Sequence, residues 1–75
     1  MKLKLSDLTS GQRATIVSFE DDEIVLKLME MGCLPGETIS VEKIAPLGDP
    51  ISVNVAGYNL SLRLDEASKI FVSIT

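Results

Sequence analysis

Chemistry in this sequence has to come from carboxylates, sulfur and a few cations, because histidine is missing altogether. The run Glu20-Asp21-Asp22-Glu23 offers oxygen ligands of the kind that suit Mg²⁺, Mn²⁺ or Fe²⁺. Four adjacent residues cannot all face one ion on a helix, and no imidazole completes an iron site. The run is better explained as a capped, solvated helix start, with a divalent ion at Glu20–Glu23 the less favoured reading. Met29, Met31 and Cys33 offer soft sulfur suited to Cu(I). On a continuing helix only Met29 and Cys33 share a face, and methionine serves more often as an adaptable filler. Cys33 has no base beside it in sequence, so a buried, inert thiol is expected. Arg13, Arg63 and Lys27 are the groups able to stabilise a transferring phosphoryl in trans. The chain has no G-x-x-x-x-G-K-[ST] loop of its own. No catalytic residue, metal site or cofactor is assigned, and the chain is expected not to be an enzyme.

Composition narrows the class further. With 75 residues the expectation is a single domain over 1–75. Seven basic residues against eleven acidic ones, net charge -4, argue against a nucleic-acid binder. Hydrophobic residues are 45% and aromatics only 4% (Phe19, Tyr58 and Phe71), so the core must be aliphatic. The single Cys33 excludes an intramolecular disulfide and paired-cysteine zinc motifs, and suits a reducing compartment. Apolar runs reach only three residues, as in Ile24-Val25-Leu26, against the roughly 20 that span a bilayer. Lys2 and Lys4 flank single leucines, without the apolar stretch of a signal peptide. A cytoplasmic protein without membrane insertion is expected.

The elements that position these residues follow from periodicity. Leu3 and Leu5 alternate with polar residues before a short turn at Ser6-Asp7-Leu8, in which Ser6 hydrogen-bonds ahead. Gln12 to Phe19 forms a strand with Ala14 and Ile16 inward. Ile24, Leu28 and Met31 fall at i, i+4 and i+7, which predicts a helix from about Asp22 to Met31. Asp21 or Asp22 caps it, and Gly32 takes the left-handed conformation past its end. Pro35-Gly36 makes a turn. Alternating strands follow around Ile39 and Val41, around Ile51, Val53 and Val55, and around Leu60, Leu62 and Leu64, the last two joined by a hairpin turn at Ala56-Gly57. Asp65 to Ser68 predicts a single helical turn capped by Asp65, and Ile70, Val72 and Ile74 a last strand. Five short strands with one helix indicate a mainly β protein, a small barrel or meander.

Three stretches now resemble a known family. Lys27-Leu28-Met29-Glu30-Met31-Gly32-Cys33-Leu34-Pro35-Gly36-Glu37 resembles the "R-L-x-E-x-G-φ-x-P-G-x" signature of the FeoA family, φ being bulky and apolar. Ala45-Pro46-Leu47-Gly48-Asp49-Pro50-Ile51 resembles its "A-P-x-G-D-P-I" loop, and Tyr58 to Ala67 its "L-R-x-x-E-A" closing segment. Lys27 stands where the family usually has arginine, and Cys33 where it has a larger apolar residue. The resemblance implies a small SH3-like five-stranded β-barrel. It also implies a cytoplasmic accessory of ferrous iron uptake that contacts FeoB, the GTPase-coupled Fe²⁺ transporter. The alternative is an SH3-like module that binds peptides or regulates a metal-dependent transcription factor. Proline-rich peptides, however, need an aromatic-lined groove, and three aromatics are few for one.

A helix on a small barrel buries one face, yet Leu26 and Met29 carry apolar character around the cylinder. Leu26, Lys27 and Met29 are therefore candidate partner contacts, as are Pro46, Leu47 and Asp49 in the proline-bounded loop. Arg63 is expected to pair with Asp49 or Glu66. Edge strands of a small barrel are also able to pair between chains, giving a homo-oligomer.

Overall fold

In a computed structural model, residues 3–74 are described. The strands are β1 (Leu3–Lys4), β2 (Arg13–Phe19), β3 (Thr38–Ile44), β4 (Ile51–Val55), β5 (Tyr58–Leu62) and β6 (Ile70–Ile74). They form one antiparallel sheet in the order β1-β6-β2-β3-β4-β5. Helix α1 spans Asp22–Glu30, and the single turn α2 spans Leu64–Ala67. Periodicity predicts five strands. The sixth, β1, is only two residues long, too short to show an alternation, and it exists because β6 pairs with it.

Alternation sets the core. Ala14 and Ile16 of β2, Ile39 and Val41 of β3, and Ile51, Val53 and Val55 of β4 are all buried. With Leu62, Ile70 and Val72 from the later strands, and Leu5, Leu8 and Leu28 from outside the sheet, they form one cluster. The sheet curls around it. Register shifts at Val17 and Glu42 mark bulges in β2 and β3, the device that bends a strand and increases its twist.

Helix α1 is defined at both ends by local chemistry. The Asp21 carboxylate accepts the Ile24 amide at 3.3 Å, as an N-cap does. At the other end Gly32 has φ +94, the Gly32 amide donates to the Met29 carbonyl at 3.0 Å, and the Cys33 amide to the Leu28 carbonyl at 2.9 Å. This pair of bonds is a Schellman motif, completed by contact between Leu28 and Cys33, both fully buried. The chain thus leaves the helix before Cys33, so Met29 and Cys33 do not share a helical face. Only Leu28 of the predicted stripe is fully buried; Ile24 and Met31 are half-buried.

The connections show the same dependence on turn chemistry. Pro35-Gly36 forms a turn closed by the Glu37 amide on the Leu34 carbonyl at 3.0 Å, with Gly36 at φ +93. Between β4 and β5, Ala56 joins Gly57 at positive φ, the requirement of a two-residue hairpin turn. At the chain start the turn is held by Asp7, whose carboxylate accepts the Lys4 amide at 3.0 Å, and not by Ser6.

Two expectations near the end of the chain are corrected. Leu64 does not continue the inward alternation of β5; it opens α2 and is 41% exposed. Asp65 does not cap that turn either. Arg63 occupies the N-cap position, two residues earlier than expected.

Because Leu28 is the one fully buried side chain of α1, Leu28→Ala is expected to lower unfolding free energy by about 3 kcal/mol. Gly32→Ala, forcing a side chain onto a left-handed residue, should cost about 1 kcal/mol. Urea denaturation of the two variants measures both.

Candidate functional site

Glu66 is the buried charged residue of the described core, at 8% exposure. It sits in α2, where the chain turns from β5 toward β6. Its Oε1 accepts the Arg63 amide at 2.9 Å, and its Oε2 forms an ion pair with Nζ of Lys27 on α1. The Lys27 hydrogen bond, followed by that of the Arg63 amide, holds the Glu66 carboxyl below its ordinary value, against the opposing effect of burial. Immediately beside it, Asp49 Oδ1 accepts the Leu64 amide at 2.9 Å. The first amides of α2 are thus satisfied by carboxylates from its own third residue and from the β3–β4 loop.

The predicted Arg63 pairing therefore takes another form. Asp49 and Glu66 are both in place, but they receive the backbone amides of residues 64 and 63. Among the described residues, the ion pairs are Lys27–Glu66, Lys4–Glu20 at 4.0 Å and Lys69–Asp21 at 3.5 Å, none of which involves Arg63.

The β3–β4 loop is tied across its base. The Ala45 amide donates to the Pro50 carbonyl at 3.1 Å, and Gly48, at φ +87, to the Ala45 carbonyl at 2.7 Å. The Asp49–Pro50 peptide is cis. This frame leaves Leu47 at the tip, 95% exposed, beside an exposed Pro46. On α1, Leu26 is 67% exposed and Met29 is also exposed.

A groove separates α1 from β5 and α2. Ile24, Lys27 and Met31 line one side, and Pro50, Leu62, Arg63 and Glu66 the other. Of the six predicted contact residues, Lys27 reaches into this groove while Leu26, Met29, Pro46 and Leu47 lie outside it. Lys27 and Asp49 carry structural bonds. The remaining four are apolar and face solvent.

The other candidates have local explanations. Asp21 caps α1 and pairs with Lys69, and Glu20 pairs with Lys4. Among the described residues, no three of His, Cys, Asp and Glu are grouped so as to hold a metal ion. Burial, and then the Glu66 charge, push the Cys33 thiol up, which disfavours the reactive thiolate. Among the described residues no helix is long and apolar enough to cross a membrane.

Sequence reasoning missed Glu66 as the centre of the site, because its partner Lys27 lies 39 residues away. One signal was present. A glutamate three residues beyond an N-cap position is half of a capping box, and Arg63-Leu64-Asp65-Glu66 has that spacing.

Residues 3–74 match the model of the FeoA domain. Over 73 residues the chain is 41% identical to the "Fe(2+) transport protein A/Fe(2+) transporter FeoB fusion protein" of Porphyromonas gingivalis (strain ATCC BAA-308 / W83). That match takes in 96% of this chain and spans 9% of the relative's length. The solution structure of the FeoA protein from Chlorobium tepidum superposes with TM-score 0.87 at 42% identity, covering 96% of this chain and 70% of that one. The crystal structure of Stenotrophomonas maltophilia FeoA complexed with zinc, described as a procaryotic SH3 domain protein, superposes with TM-score 0.82 at 30% identity, covering 95% and 89%.

The lowered pKa of Glu66 fixes a pH dependence. A carboxyl whose folded value lies below its unfolded value, near 4.5, contributes stability that is complete above that pH. The contribution is lost as pH falls through the lower, folded value. Glu66→Gln should cost about 2 kcal/mol at neutral pH and flatten the decline in stability below pH about 4.5. Thermal unfolding of both proteins from neutral to acid pH checks the sign.

Proposed function

The chain belongs to the FeoA family, an SH3-like fold linked to ferrous iron transport, and from that premise we propose that it is an accessory protein of Fe²⁺ uptake. It acts by binding the cytoplasmic region of a FeoB-type transporter, on the cytoplasmic side of the membrane. The observation that carries this reading is the Porphyromonas gingivalis relative, in which the same domain is joined in one polypeptide to FeoB. Covalent linkage holds two modules at high effective concentration, which favours pairs that work in contact.

The contact surface follows from the division of labour among the candidate residues. Lys27 and Asp49 are engaged in holding α1 and the β3–β4 loop against α2. Leu26 and Met29 on α1, with Pro46 and Leu47 at the loop tip, are exposed apolar groups on rigid supports. A backbone already held in place loses little conformational entropy on binding, so a small apolar set carried on it is an efficient contact. The role is recognition and not chemistry. Fe²⁺ itself is the transporter's cargo, and a chain without histidine and with one buried cysteine offers it few nitrogen or sulfur ligands.

Leu26→Asp and Leu47→Asp are each expected to weaken retention by the cytoplasmic region of a FeoB-type transporter at least about tenfold. Because both side chains already face water, melting temperatures should stay within a few degrees of the parent. Biolayer interferometry with the isolated transporter domain measures this. No retention of the parent protein at tens of micromolar, roughly the range of weak regulatory contacts, would defeat the proposal.

A further inference from the structure

Among the described residues, strand β5 has β4 on one side and an open edge on the other. The β4–β5 connection is a two-residue turn, so the pair beside it, Val55 with Tyr58, is a hydrogen-bonded one. Alternation then makes Val53 with Leu60 and Ile51 with Leu62 the next such pairs. The backbone N–H and C=O groups of Asn59 and Ser61 consequently point away from β4, toward the open edge. The segment Tyr58–Leu62 contains no charge, no proline and no bulge. Those are the devices that ordinarily keep a sheet edge from pairing.

The two ends of this strand differ in a complementary way. At its start Tyr58 projects with 71% of its surface exposed. At its end Ser61 and Leu62 border the groove whose other side is formed by Ile24 and Met31 of α1. Tyr58, Leu60 and Leu62 lie on one side of the strand. Leu60 and Leu62 pack toward the core, as Ile24 and Met31 do.

We propose that the β5 edge pairs antiparallel with β5 of a second copy of this chain, centred on Leu60. A two-fold axis there sets Asn59 against Ser61 of the other copy, each donor facing an acceptor, for about four interchain backbone hydrogen bonds. The same rotation brings each Tyr58 opposite Leu62 of the other copy, beside the groove where Ile24 and Met31 lie next to the Lys27–Glu66 pair and Arg63, an apolar and polar lining that suits a phenol. A projection and a recess at opposite ends of one strand are what a two-fold interface requires, since the same patch must serve both sides. Charge agrees with this occupant. Each chain carries net charge -4, but the paired segment carries none, and the flanking Arg63 falls opposite Gly57 of the second copy. An interface of one short strand and one aromatic buries less than about 1,200 Å², which belongs to weak, reversible association.

Sedimentation velocity and amide NMR over a dilution from about 1 mM to 10 µM, spanning weak dissociation constants, test the pairing. The expected result is a monomer–dimer equilibrium, with dilution shifts confined to residues 58–62 and to Ile24 and Met31. Ser61→Pro removes an outward-facing donor without breaking a bond to β4, and Tyr58→Asp removes the projection. Each should weaken association at least about tenfold while leaving the melting temperature little changed. If Ser61→Pro does not fold, the exposed Tyr58→Asp alone decides. A monomer at about 1 mM, or a dimer indifferent to these substitutions, overturns the proposal. Shifts at the same residues that appear only when a FeoB cytoplasmic region is added would assign the edge to a foreign strand, and would overturn it too.

Discussion

A carboxylate removed from water destabilises the fold unless every lone pair it exposes inward finds a donor, and Glu66 meets that condition from two directions. One oxygen takes the amide that opens α2, and the other takes the ammonium of Lys27 from α1. The consequence reaches beyond stability. Helix α1 is attached to the sheet through Leu28 in the core and through Lys27 at the rim, a nonpolar and a polar anchor one residue apart. Two such anchors fix both the depth and the rotation of a helix. Leu26 and Met29 are exposed because that rotation is fixed. Removing Lys27 leaves the buried Glu66 carboxylate without its cation, whereas the Lys27 ammonium already faces water, so the pair ties α1 to α2 chiefly through the needs of Glu66.

The β3–β4 loop joins the same unit through Asp49. Its carboxylate satisfies the Leu64 amide, which no residue within α2 reaches, and so binds the loop's end to the start of α2. The bonds across the loop's base then carry that restraint to its tip. An exposed leucine on a flexible loop would fold back or collapse against the surface. On this frame Leu47 stays in solvent, and both exposed apolar sets, on α1 and at the loop tip, depend on the same two acidic side chains.

Most of the fold was legible because it is locally encoded. Alternation found the long strands, the spacing of Ile24, Leu28 and Met31 found α1, and Asp21, Gly32 and Gly36 marked its ends and the following turn. What escaped was whatever pairing across the chain decides. Strand β1 is a strand only because β6 lies beside it. Leu64 continues an alternating pattern perfectly well, yet the carboxylates of Asp49 and Glu66 make a helical turn there the better solution. The exposed members of the candidate site were likewise readable, since an apolar pattern wider than one helix face must leave something uncovered. For the candidates Lys27 and Asp49 the sequence does not show the internal acceptor or donor each one meets, since a charge on a motif looks the same with or without it. Separations of 39 and 15 residues conceal the pairing.

Geometry also accounts for the two places where the chain departs from the family signature. Arginine at the position of Lys27 would offer a carboxylate a two-pronged donor, whereas here Glu66 Oε2 takes the Lys27 ammonium and Oε1 already has the Arg63 amide. A single point charge on a flexible stem therefore suffices. Cys33 follows the left-handed Gly32, and its side chain closes against Leu28 where the backbone has just reversed. A small apolar side chain fits that inner corner, fully buried, with its thiol kept protonated. Both departures fall at positions that build the frame, where any residue meeting the local geometric demand serves. Lys27, Asp49 and Glu66, three residues of the signature stretches, are thus the ones whose bonds lock α1, the β3–β4 loop and α2 together.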